Sequence, residues 1–175
     1  MNNMKVDPVK RVIWSDIAGA LAKETNVASC LCYGDEFRGY LKREAGLPFI
    51  PDNPAELEPA GNNDGQFDLI AGWQVLGEDS STVSPEEIFG LLKEEGEALL
   101  YGYYRDPRPE EILEMERRCR QADCNESIVL PGPGAVSMSR ISGWLRESPF
   151  DRFTIRKKGI YYQAWLRKGR MGSGE

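Results

Sequence analysis

The apolar positions along this chain fall into two rhythms, and the alternation between them carries most of the fold. After Asp7-Pro8, an N-cap side chain with Pro at the first helical position, Val9, Val12, Ile13, Ile17, Ala20 and Leu21 recur at three- and four-residue spacings. That spacing predicts an amphipathic helix over about residues 8–24, in preference to a strand squeezed into Arg11-Val12-Ile13-Trp14. Residues 27–33, Val-Ala-Ser-Cys-Leu-Cys-Tyr, are instead a continuous apolar run of strand length, the pattern of a strand covered on both faces. Gly34-Asp35-Glu36 opens a second helix, about 36–45, with Phe37, Tyr40, Leu41 and Ala45 on one side and Gly46 as its stop. Leu47-Pro48-Phe49-Ile50 reads as a short extended segment, and residues 51–66, rich in Pro, Gly and Asn, as a surface loop.

The same alternation continues to the C-terminus. Phe67–Gly72 is a strand, and Ser84-Pro85-Glu86-Glu87 is a capping box that launches a helix through Leu92, with Glu95-Gly96 ending it. Ala98–Tyr103 is a third buried strand. Residues 109–122 form a helix with an acidic first turn and an Arg-rich last one, as the helix dipole favours. After a loop over 125–136, Ser137 or Ser139 caps a short helix ending near Glu147. Phe153 and Ile155 alternate with Arg152, Thr154 and Arg156, and a Lys157-Lys158-Gly159 turn leads into Ile160–Leu166, a hairpin pattern. The expected architecture is α/β: a mostly parallel, Rossmann-like sheet with helices on both faces and a C-terminal antiparallel hairpin. One domain is expected over 1–175, with its core in 27–168 and a flexible tail over 169–175.

Composition narrows the chemistry. The balance of 41% hydrophobic and 29% charged residues is that of a globular chain, and no apolar run approaches the ~20 residues of a membrane span. Met1–Pro8 lacks the apolar core of a signal peptide, so a cytoplasmic location is expected. A net charge of −6 argues against a general grip on nucleic acid or anionic lipid. The chain has no histidine, which removes Ser-His and Cys-His nucleophile pairs and His-based metal sites or general bases. Cys30/Cys32 and Cys119/Cys124 could together hold zinc, and alternation puts the first pair on one strand face. The apolar run around Cys30 and Cys32 favours thiols packed as small hydrophobes, so no metal is expected.

From Gly65 onward the motifs resemble a known family. Gly65-Gln66-Phe67-Asp68-Leu69-Ile70-Ala71-Gly72-Trp73-Gln74-Val75-Leu76 is similar to the fourth-strand motif of class I S-adenosylmethionine-dependent methyltransferases. Ile88–Tyr101 resembles that family's next helix and fifth strand, with Lys93-Glu94-Glu95-Gly96-Glu97 in place of its usual turn. Ser148-Pro149-Phe150 and the hairpin resemble its last helix and antiparallel final strands. The resemblance implies a bound S-adenosylmethionine. An acid ending the family's second strand takes the ribose, a position matched by Asp35, with Glu36 as alternative and an N-cap role as the structural reading. Asp52 matches an adenine contact after the third strand. Trp73 and Gln74, after the fourth strand, match the border of the methyl group, with core packing as the other reading of Trp73. Tyr103, Tyr104 and Asp106, at the end of a central strand, are the substrate-side candidates.

One departure weighs against catalysis. The family's first strand runs into a glycine-rich loop that seats the donor, and this chain shows no Gly-x-Gly upstream of residue 27, so the first strand is expected to be missing. A sheet short of that strand leaves an edge for a second copy or a partner protein. The favoured expectation is therefore a non-catalytic, methyltransferase-like binding or scaffold subunit. The alternative is an active methyltransferase whose atypical site a partner completes. Charge adds a hint: residues 51–100 hold twelve acids and one Lys, whereas Arg152, Arg156, Lys157, Lys158, Arg167, Lys168 and Arg170 lie in a stretch without acids. A basic hairpin could meet a partner's acidic face or an anionic ligand, or simply protect a sheet edge.

Overall fold

The computed structural model describes residues 8–24, 27–51, 65–76, 83–122 and 135–169. Helix α1 (Pro8–Leu21) is followed by β1 (Cys30–Tyr33) and then α2 (Asp35–Gly39), which widens into a π-helical turn over Tyr40–Glu44. Next come β2 (Phe67–Trp73), α3 (Pro85–Leu91), β3 (Leu92–Tyr103), α4 (Pro109–Gln121) and α5 (Met138–Arg146). The hairpin β4 (Arg152–Lys158) and β5 (Tyr161–Arg167) closes the chain. The five strands form one sheet in the order β1-β2-β3-β5-β4, with β1, β2 and β3 parallel and β5 and β4 antiparallel to their neighbours.

Strand alternation sorts the core into two layers, one on each sheet face. On one face Leu69, Ala71, Trp73, Leu99, Tyr101 and Tyr103 pack with Ile13, Trp14 and Ile17 of α1, Phe37 and Leu41 after β1, and Met115 and Cys119 of α4. On the other, Ile70, Ala98, Leu100, Tyr162 and Ala164 pack with Ile88 of α3 and Ile141 and Leu145 of α5. The expected caps form where they can be followed: the Ser84 hydroxyl accepts from the Glu87 N–H at 3.1 Å, and Ser137 from the Arg140 N–H at 3.2 Å. The Arg108 N–H donates to the Glu111 carboxylate at 2.8 Å at the start of α4. Asp7, Asp52, the 52–64 part of the loop, Cys124 and the tail beyond 169 lie outside the described residues.

Three expectations change. Leu47–Ile50 is a turn rather than an extended segment, closed by Ile50 N–H on the Leu47 carbonyl. The 84–92 helix ends at Leu91, and β3 begins at once, so Glu95-Gly96 falls inside the strand. There Phe67 pairs with Leu92 but Leu69 with Glu97, so residues 93–96 bulge out of the ladder. Glu95 takes a left-handed φ of 66°, and a Cβ on Gly96 would come within 2.8 Å of the Lys93 carbonyl, so only glycine fits that corner.

The third change concerns which strand is lacking. The doubly wound order places first and fourth strands side by side at the point where the sheet changes direction. β1 pairs directly with β2, which carries the fourth-strand pattern. The 27–33 run, read as the second strand, thus occupies the first strand's place. Among the described residues the strands absent are those beyond it, and β1 is the sheet's end.

Candidate functional site

Because β1, β2 and β3 are parallel, their C-terminal ends line up along one rim, where ligands of open α/β sheets bind. Gly34 leaves β1 with φ 98° and turns the chain straight into α2; a Cβ there would face Phe37 Cβ at 3.5 Å and the Trp73 carbonyl at 3.7 Å. It is the one glycine where a glycine-rich loop would stand. Asp35 follows in the first turn of α2, with its side chain 82% exposed and bonded to Arg38 at 2.8 Å. Glu36 faces Lys10 of α1 at 3.7 Å. Both carboxylates are engaged with cations on neighbouring helical turns.

The space under that rim is filled by aromatic rings. Trp73 meets Trp14, Phe37 and Tyr103 at centroid separations of 5.8, 6.4 and 5.1 Å. Trp14 in turn meets Phe37 at 5.4 Å and Tyr40 at 5.7 Å. Most of these pairs are edge-to-face, the arrangement aromatic quadrupoles favour. Trp14, Phe37, Trp73 and Tyr103 are all buried. The indole N–H groups of Trp14 and Trp73 find no acceptor within hydrogen-bond reach. Residues that would hold a charged nucleoside should present carboxylates, amides and backbone N–H groups to the crevice; these present ring faces and edges. This part of the crevice is therefore aromatic, with the Asp35 and Glu36 carboxylates following β1 on the same rim.

The remaining candidates spread along the rim. Gln74 has a left-handed φ of 53° and donates its N–H to the Tyr101 carbonyl at 2.7 Å. Tyr104 lies beneath the Lys157 ammonium, 4.6 Å from its ring centroid, and bridges to Val136. Asp106 is exposed in the turn before α4. Tyr103 belongs to the ring cluster rather than to the surface. Cys30, Cys32 and Cys119 are free thiols buried in the same core layer. Burial pushes the Cys30 thiol up to about 12 and Cys32 further, which makes both poor nucleophiles and poor ligands. Among the described residues no three Cys, Asp or Glu side chains are placed to hold a metal ion, and no helix is long and apolar enough to cross a membrane.

The basic hairpin divides into structural and open cations. Lys168 is buried and donates to the carbonyls of Phe89 and Leu92, both at 2.9 Å, closing the C-terminus of α3. Lys157 pairs with Glu111 at 3.1 Å. Arg152, Arg156 and Lys158 are exposed along β4. Lys158 also borders a cleft that the sequence pattern did not reveal, lined by Asp16, Ile17 and Ala20 of α1, Tyr101, Arg118 of α4, Tyr161 and Gln163. These residues are scattered over the whole length of the chain, and only the sheet register and the packing of α1 on α4 bring them together.

No protein-family model and no curated protein sequence matches the chain. Solved structures do match in fold. A protein described as a possible exported protein from Bordetella parapertussis superposes with a TM-score of 0.56 at 13% identity, over 92% of this chain and 68% of that one. A SAM-dependent methyltransferase from Aquifex aeolicus gives 0.54 at 12% identity, over 93% and 99%. Human N-acetylserotonin methyltransferase, in complex with SAM, gives 0.51 at 15% identity, where this chain spans 55% of its length and is itself covered to 93%. The chain has a class I methyltransferase-like, Rossmann-like fold.

Proposed function

We propose that this protein is a non-catalytic member of the methyltransferase-like fold that works as a binding or scaffold subunit. The observation that carries this reading is the packed ring cluster of Trp14, Phe37, Trp73 and Tyr103 in the space where the parallel strands end. A donor molecule there would have to displace buried rings, each worth about 3–5 kcal/mol of packing when lost. A single glycine, Gly34, stands where the backbone would need to approach the donor closely. Asp35 and Glu36 follow the strand in the first position, not the second strand whose closing acid would take the ribose, and they pair with Arg38 and Lys10 instead.

A scaffold needs a surface for its partner. Among the described residues no strand pairs with the outer side of β1, and a second copy of the chain or another protein would complete the ladder there. The free thiols of Cys30, Cys32 and Cys119 suit work in the reducing cytoplasm. The test is calorimetric titration of S-adenosylmethionine and S-adenosylhomocysteine into the purified chain, with its oligomeric state recorded in the same buffer. The expected result is no saturable heat up to ligand concentrations of about 1 mM, the weak end of specific binding. Micromolar binding of either ligand would overturn the reading and make the chain one with a working, unorthodox donor site.

A further inference from the structure

The cleft beside Lys158 has a chemistry of its own. In the sheet, Tyr101 pairs with Gln163, Tyr161 with Lys158, and Gln163 with Arg156, so these side chains share one face. Asp16 from α1 and Arg118 from α4 close over that face, and the resulting cavity is about 320 Å³. Arg118 and Lys158 also line a neighbouring groove of about 620 Å³ that runs past Met115, Gly159 and Ile160. It is flanked by Arg108, Glu110, Glu111 and Glu114, of which Glu111 is paired with Lys157 and Arg108, and Glu114 with Arg117. Together the cavity and the groove reach the size of a small-molecule site, with a polar pocket at one end and, at the other, Met115 and Ile160 set between charged side chains.

The donor and acceptor inventory of the polar end is lopsided. Lys158, the Gln163 amide, the two phenols and the Arg118 guanidinium all carry hydrogens to give. The one carboxylate, Asp16, is already taken: Arg118 Nη2 stands 2.9 Å from its Oδ1 and 2.8 Å from its Oδ2. Among the described residues, no hydrogen bond engages the Tyr101 or Tyr161 hydroxyl or the Gln163 amide, and no ion pair holds Lys158. Burial, with Asp16 adding to it and Arg118 opposing, pushes the Tyr161 phenol up to about 12, and burial followed by Tyr161 and Glu24 raises Tyr101, so both keep their protons. Asp16 fixes the guanidinium, and Lys158 leaves this polar end with one positive charge in excess, Arg156 being exposed two residues before it on β4.

We propose that this corner binds an oxyanion, a carboxylate or phosphate carried on an apolar or aromatic body. The anionic group is held by Lys158, Arg118, Tyr101 and Tyr161, and the body lies along Met115 and Ile160. The proposal concerns a different part of the molecule from the ring-filled crevice and stands or falls separately from it.

Phenyl phosphate and benzoate serve as probes, with benzamide as the neutral control, each titrated into the full chain and followed by ligand NMR line broadening. Both anions should bind more tightly than benzamide by about tenfold, the scale of one charge-assisted hydrogen bond. Whichever anion is the tighter names the headgroup. Lys158→Gln should weaken the anions by roughly tenfold and Tyr161→Phe by a few-fold, while Arg146→Gln, at the exposed end of α5, leaves them unchanged. Lys158 is exposed and Tyr161→Phe keeps the ring, so both variants should keep the parent circular dichroism. Equal binding of benzamide, unaltered binding by the Lys158→Gln/Tyr161→Phe double variant, or no saturation by about 10 mM anion would overturn the proposal.

Discussion

At the scale of single residues, the interior holds polar atoms that nothing answers. The Tyr162 hydroxyl is fully buried without a hydrogen-bond partner, pressed where a Cβ on Gly102 would lie 2.8 Å away. Desolvating a hydroxyl without pairing it costs about 1–3 kcal/mol, and removing it spares that cost while the ring stays. Tyr162→Phe should therefore raise stability by about 1 kcal/mol, seen as a higher urea midpoint at unchanged slope. Gly102→Ala should do the reverse, since the ring it meets is itself immobile in the core. Trp73 is the complementary case. Its indole N–H is also orphaned, but its ring joins three others, so Trp73→Ala should lose about 3–5 kcal/mol in the same measurement. The sequence offered Trp73 as either core or cofactor wall, because its neighbours Trp14, Phe37 and Tyr103 lie 30 or more residues away in sequence, and no local pattern reports on them.

Among the elements, the joint between β1 and β2 is fastened by one carboxylate. Asp68 Oδ2 accepts from the backbone N–H of Ala28 at 2.9 Å and Ser29 at 3.1 Å, with Lys93 3.5 Å from the other oxygen. Partial burial works to raise its pKa, but the two N–H groups and the Lys93 ammonium outweigh it and leave the carboxyl below its ordinary value. A group whose pKa is lower in the folded state contributes stability above its unfolded pKa, about 4, and loses it as pH falls through the folded value. Urea midpoints should thus separate the parent from Asp68→Asn at neutral pH and converge well below pH ~4. The element boundaries show where pattern reading works. Periodicity marked α1, α4 and the hairpin closely, because their faces are set by residues within the element. It placed a turn at Glu95-Gly96 where β3 already runs, because that bulge is held from afar: the Glu95 N–H donates to the Lys168 carbonyl at 2.9 Å, and the Lys168 N–H to Gly96 at 3.0 Å. Lys168, counted with the open basic residues by charge alone, is for the same reason a buried clamp on α3.

At the scale of the whole molecule, the two ends that the described residues give the sheet are built differently, and that asymmetry decides how it should associate. The order of motifs made the fold legible, but not which strand neighbours β2, since parallel pairing is fixed by the return path of the chain rather than by any residue in the strand. At one end β4 carries Arg152 and Arg156 on its exposed face, and a second β4 laid against it would set cation against cation. At the other end Cys30–Tyr33 carries no charge at all. Self-association should therefore run through β1 and survive about 1 M salt, which screens charge within roughly 3 Å. Arg152→Thr/Arg156→Thr leaves β1 untouched but strips the repulsion from β4 with a good strand-forming residue. Light scattering across a concentration series should show that variant growing beyond the parent's oligomeric state. A parent oligomer that dissolves in high salt would place the contact at the charged end instead, with the basic hairpin as the adhesive rather than the guard.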